Sequence, residues 1–142
     1  MAQASLKVIV NIDGGARGNP GPAAAGFVLR TTDGTVLCQR GCYLGQATNN
    51  VAEYTALLKA LAAAAELKAT DIQIFSDSEL LVRQMNGQYR VKNAGLLELF
   101  IKAKDMASGF ESCTISHVRR EMNSHADRMV NLALDRRQDV QD

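Results

Sequence analysis

The sequence predicts an α/β fold in which helices flank a mixed β-sheet. Three observations predict it. Short β-branched runs alternate with period two, longer runs repeat apolar residues with helical period, and the two kinds follow the order β-β-β-α-β-α-α-β-α. Consecutive strands joined by turns pair antiparallel, whereas strands joined through a helix pair in parallel, so five strands give a mixed sheet.

Residues 6–13 read as the first strand, with Val8, Val10 and Ile12 alternating with Lys7, Ile9 and Asn11. Gly14–Ala25 reads as a loop ordered by Pro20 and Pro22. Strands two and three, Gly26–Thr32 and Thr35–Tyr43, flank the hairpin signal Asp33-Gly34. A helix follows over Asn50–Leu67, with Tyr54, Leu58, Leu61 and Ala65 on its stripe. Ile72–Phe75 is a strand ending in Ser76-Asp77, and Ser78–Asn86 is a short helix stopped by Gly87. Asn93 caps a helix through Met106, and Phe110–Val118 is the last strand. Asn123–Arg136 is the last helix, with Ala126, Met129, Val130 and Ala133 on its stripe, and the polar tail from about residue 137 is expected to fray.

The 142 residues are expected to form one domain, since the length suffices for a real core. The 46% hydrophobic and 22% charged residues suit a globular chain, and no apolar run is long enough to span a bilayer. Cys38, Cys42 and Cys113 are odd in number and lack zinc spacing, so reduced thiols and a cytoplasmic location are expected. The net charge of +1 does not by itself announce a nucleic-acid binder.

Four acids stand at strand tips or in first helical turns: Asp13, Glu53, Asp77 and Asp127. Each has an ordinary alternative. Asp13 could be a turn residue before Gly14, Asp77 a helix cap, and Glu53 and Asp127 capping-box acids three residues after Asn50 and Ser124. Together they suggest more. In a mixed sheet with crossovers such positions gather at one rim, where four carboxylates would repel one another. Divalent cations would relieve that repulsion, and all-oxygen ligands suit Mg²⁺ or Mn²⁺. Two such ions clamp the attacking and leaving oxygens of a phosphoryl transfer, which points to a nuclease or phosphatase.

The neighbouring text suits a nucleic-acid ligand. Gly14, Gly15, Gly18 and Asn19 offer backbone N–H groups and an amide, and Thr48, Asn49 and Asn50 stand just before the helix of Glu53. The Gly-rich loop is not a P-loop, because no Gly-Lys-Ser/Thr follows it and it leads into a strand.

These residues carry a resemblance. NIDGGARGNPGPAAAGFVL, TNNVAEYTALLKAL, IFSDSELLVRQMNG and REMNSHADRMVNLA occur in order over nearly the whole chain, which is similar to the type I ribonucleases H. The resemblance implies a ribonuclease H-like fold with strand order 3-2-1-4-5. It also implies Mg²⁺-dependent hydrolysis of the RNA strand of RNA–DNA hybrids, leaving 5′-phosphate and 3′-hydroxyl ends. Asp13 would be shared by two ions, with Glu53 and Asp77 completing one and Asp127 the other. Gly14, Gly15, Asn19, Thr48, Asn49, Asn50, Ser78 and Arg120 form the expected substrate-contacting set, and a monomer is expected.

Three departures stand out. Glu79 replaces a Gln that many members carry, and Val118–Asn123 is too short for the family's long His-bearing loop. His117 and His125 are therefore read as structural or surface residues. The basic helix that some members insert is missing, and Gly87–Asn93 is a bare connector with Arg83, Arg90 and Lys92 as the nearby cations. Two alternatives remain at this level: a nuclease of the same fold acting on double-stranded RNA, and an inactive nucleic-acid-binding module. The presence of all four acids argues against the second.

Overall fold

The structure, a computed structural model, describes residues 5–141. Strands β1 (Lys7–Ala16), β2 (Gly21–Thr31) and β3 (Val36–Ala47) form an antiparallel meander. Helix α1 (Asn49–Glu66) crosses to β4 (Asp71–Ser76), which pairs parallel with β1. Helices α2 (Glu79–Met85) and α3 (Ala94–Ala107) lead to β5 (Ser112–His117), parallel to β4. A 3-10 turn at Arg120–Met122 precedes α4 (Ser124–Arg136) and a two-residue strand, β6 (Val140–Gln141). The sheet order is β5-β4-β1-β2-β3-β6, which contains the expected 3-2-1-4-5 arrangement.

Alternation along the strands sorts side chains onto two faces. On one face Val8, Val10, Ile12, Phe27, Leu29, Ile72 and Ile74 pack under α1, whose Ala56, Leu57, Ala60, Leu61 and Ala64 are fully buried. The alanines bring the helix axis close to the sheet, and alanine is also the strongest helix former. On the other face α4 covers Ala24 with Val130, Ala133 and Leu134. Among the described residues no helix is long and apolar enough to cross a membrane.

Two expectations are corrected. The loop expected over Gly14–Ala25 is mostly sheet, because Gly14, Gly15 and Ala16 pair with Ala25, Ala24 and Ala23. Small side chains let this ladder continue until only residues 17–20 remain to turn. The tail expected to fray from about residue 137 instead adds the sixth strand. Arg137, at φ 51°, ends α4 in the left-handed conformation and turns the chain back onto the β3 edge. There the Tyr43 amide donates to Asp139 Oδ1 at 2.8 Å, and Val140 and Gln141 pair with Gly41 and Arg40.

Candidate active site

Ile12 and Ser76 are register partners in the parallel β1–β4 pair. The next residue in each segment is an acid, so Asp13 on β1 and Asp77 just past the end of β4 stand side by side, about 5 Å apart by strand spacing. Asp13 is not a turn residue, since it lies inside β1 opposite Gly26. Partners across an antiparallel ladder share a face, which aims Asp13 toward α4.

Glu53 reaches the same rim because α1 lies almost on β1. A Cβ at Gly14 would overlap the Ala52 carbonyl and the Glu53 amide, so only glycine permits this approach. The Thr48 hydroxyl caps α1, accepting from the Val51 amide at 3.2 Å. Glu53 therefore lies beyond the capping-box position, and the Ser78 hydroxyl hydrogen-bonds to its carboxylate. Ser78 also caps α2, accepting from the Leu81 amide at 3.2 Å, which leaves Asp77 outside the helix.

Asp127 is placed by a groove of glycines. Gly26 and Gly41 are register partners on β2 and β3. A Cβ at Gly26 would come within 2.8 Å of the Ala126 carbonyl oxygen, and one at Gly41 would overlap the Met129 carbonyl. Helix α4 thus crosses the sheet directly beside Asp13. Its first turn is tied down by Asn123, which is 1% exposed. Asn123 Nδ2 donates to the Ile12 carbonyl at 2.8 Å, and its Oδ1 accepts from Asn11 Nδ2 at 3.0 Å. Arg30 Nη2 donates in turn to Asn11 Oδ1 at 2.6 Å, completing a chain from β2 through β1 to α4. The capping position belongs to Asn123, so Asp127 is not a capping-box acid of Ser124. One turn on, Asn131 Nδ2 donates to both the Asp127 carbonyl and its Oδ2, at 3.1 and 3.2 Å.

All four acids line one open cavity of about 420 Å³, together with Gly14, Gly15, Ala16, Arg17, Asn49, Arg120, Val130, Asn131 and Leu134. Burial, then the neighbouring Asp77, then a hydrogen bond to Asp127 push the Asp13 carboxyl from 3.8 up to about 8. Burial also raises Glu53 from 4.5 to about 7, with Asp77 adding to the shift and the Ser78 hydroxyl opposing it. Among the described residues the ion pairs are Arg17–Asp135 and Arg83–Glu79, so none of the four acids has a cationic partner. A buried Asp13 and half-buried Glu53, Asp77 and Asp127 without counter-charge fit a site that takes hard divalent cations. As the side chains stand, no group of three or more His, Cys, Asp or Glu among the described residues is gathered closely enough to hold an ion.

Of the expected substrate-contacting residues, Gly14, Gly15, Asn49 and Arg120 line the cavity, while Asn19, Thr48, Asn50 and Ser78 do not. Thr48 and Ser78 cap helices, as described. Asn49 Oδ1 accepts from the Ala16 amide at 2.8 Å and the Asn49 amide donates to Asn19 Oδ1 at 3.1 Å, locking the 17–20 turn to the start of α1. His125 Nε2 lies 2.9 Å from Gln39 Oε1, and neither histidine lines the cavity. Arg83 is bonded to Glu79 and lies over the Tyr89 ring at 5.4 Å, whereas Arg90 and Lys92 are exposed. Sequence reasoning missed Arg17, Asn131, Asn11 and Asn123. The Asp127–Asn131 spacing of four was a readable signal; the others act across more than 100 residues.

Sheet order and the four-acid rim define the ribonuclease H-like class of α/β proteins. The family described as reverse transcriptase-like matches residues 11–133. The chain belongs to this family, and its relatives of highest identity include type I ribonucleases H. It is 45% identical over 131 residues to the bifunctional protein Rv2228c of Mycobacterium tuberculosis, covering 92% of this chain and 36% of that protein. The chain thus spans about a third of the first curated relatives it matches. It is 42% identical to ribonuclease HI of Halobacterium salinarum, over 91% of this chain and 65% of that protein. The crystal structure of that archaeal RNase H1 superposes with a TM-score of 0.89, covering 92% of this chain and 98% of that one. LC11-RNase H1, solved in complex with an RNA/DNA hybrid, superposes with a TM-score of 0.87 at 40% identity, covering 92% and 98%.

Proposed function

We propose that the protein is an endoribonuclease that hydrolyses the RNA strand of RNA–DNA hybrids with two divalent ions, leaving 5′-phosphate and 3′-hydroxyl ends. The observation that carries this reading is the meeting of Asp13 of β1, Glu53 of α1, Asp77 of the β4–α2 turn and Asp127 of α4 in one open cavity. The hybrid bound to the 40%-identical LC11-RNase H1 supports the substrate. Asp13, Glu53 and Asp77 would hold one Mg²⁺, and Asp13 with Asp127 the other, with Mn²⁺ as a substitute. Bound there, such ions would supply charge neutralisation at the phosphate and a more acidic water. The chain's own residues supply the rest. Ser78 and Asn131 orient Glu53 and Asp127, and the Asn123–Asn11–Arg30 chain fixes α4 against β1. The Asn49 corner and the Gly14–Gly15 backbone face the RNA strand, where a ribose 2′-hydroxyl distinguishes RNA from DNA. The 142 residues act as one monomeric unit in this reading.

Labelled hybrid, duplex RNA and duplex DNA, incubated with the protein in Mg²⁺ and in EDTA, test it. Cleavage of the hybrid's RNA strand in Mg²⁺ alone is expected. Equal cleavage of duplex RNA would favour the broader nuclease, and cleavage of none would overturn the reading.

A further inference from the structure

We propose that Arg17 grips an RNA-strand phosphate flanking the scissile one, and that Asp135 holds this arginine in place until substrate arrives. The inference rests on the hybrid-cleaving reading and deepens it. Arg17 and Arg120 are the two cations among the residues lining the four-acid cavity. Arg17 Nη2 donates to Asp135 Oδ1 at 2.6 Å. Both side chains are open to solvent, 51% and 62% exposed.

Position decides which phosphate it can reach. Arg17 lies four residues beyond Asp13 on a nearly continuous strand, about 13 Å at strand rise. Asp135 lies eight residues beyond Asp127 on α4, about 12 Å at helical rise. Asp127, Asn131 and Asp135 are spaced by four, so they follow one stripe of the helix along the cavity. Both elements thus put the Arg17–Asp135 pair at the end of the cavity, one step along the strand from the acids. Its base is firm: the Arg17 amide donates to the Pro22 carbonyl at 2.8 Å, and the preceding residue is held by Asn49.

Energetics favour exchange of partners. An exposed ion pair contributes little net stability, because solvent screens both charges. A guanidinium meets a phosphate through two charge-assisted hydrogen bonds, a stronger pairing. The incoming backbone can therefore displace Asp135 and take Arg17. Asp135 is then a competitor for the arginine as well as its rest.

Opposite signs separate this role from a simple brace between turn and helix. Hybrid cleavage and metal-free hybrid binding by anisotropy are measured for the wild type, Arg17→Ala, Arg17→Lys and Asp135→Asn. Arg17→Ala should raise KM and Kd at least fivefold with a smaller change in kcat, and lower the salt slope by about one. Arg17→Lys should recover part of that loss. Asp135→Asn should lower KM and Kd, because the arginine is released. A brace would make both single variants weaken binding alike, and that result overturns the proposal, as does unchanged binding in Arg17→Ala. If the wild type cleaves no hybrid, the enzymatic reading fails, and the signs of the two binding changes still decide whether Arg17 grips backbone phosphate.

Discussion

Asp13→Asn and Asp77→Asn are each expected to lower hybrid cleavage by several orders of magnitude while the fold survives. Asn keeps the volume of Asp and one carbonyl oxygen but not the charge that would hold a divalent ion. Asp13 is shared by both proposed ions, so its loss should be at least as severe as that of Asp77. Neither acid caps a helix or pairs with a cation, so local structure has little reason to fail. Circular dichroism and a single-turnover assay check both halves. Near wild-type rates in either variant would remove the two-ion reading; loss of fold would show that the carboxylate is structural.

The second large effect is on stability against pH. In the folded chain without metal, Asp13 titrates at about 8 and Glu53 at about 7, against ordinary values of 3.8 and 4.5. The folded state therefore holds protons that the unfolded chain has already released. That contribution is full below about pH 4 and is lost as pH rises through 7 and 8, by at most about 1.4 kcal/mol per pH unit for each group. In EDTA the melting temperature should fall between pH 5 and pH 9. Asp13→Asn should flatten most of the slope. Millimolar Mg²⁺ should raise the melting temperature near neutral pH, since ions bind only the folded site. A melting temperature that is flat or rises over that range in EDTA would mean that Asp13 and Glu53 are not held buried beside Asp77 as described.

The sequence revealed the four acids more clearly than the machinery that aims them. Alternation and helical period located every main element, and the motif text implied the strand order that puts Asp13 beside Asp77. The capping alternatives weighed for Glu53 and Asp77 are displaced by one or two residues: Thr48, not Asn50, caps α1, and Ser78, not Asp77, caps α2. Those small shifts matter, because they free Glu53 and Asp77 from capping. Contacts between distant residues were not legible. Gly26 and Gly41 read as ordinary strand glycines until α4, about 100 residues later, is seen to lie on them. Asn11 meets Asn123 across 112 residues, and Arg17 meets Asp135 across 118. A single sequence carries no signal for such pairs. The sixth strand was missed for a related reason, since a two-residue segment in a mostly polar tail gains its order only from the β3 edge it joins.

The most direct measurement of the central claim is anomalous diffraction from crystals grown with Mn²⁺ and a non-cleavable hybrid. Two peaks are expected, one among Asp13, Glu53 and Asp77 and the other between Asp13 and Asp127. No peak at saturating Mn²⁺, or peaks away from these four carboxylates, would contradict the account.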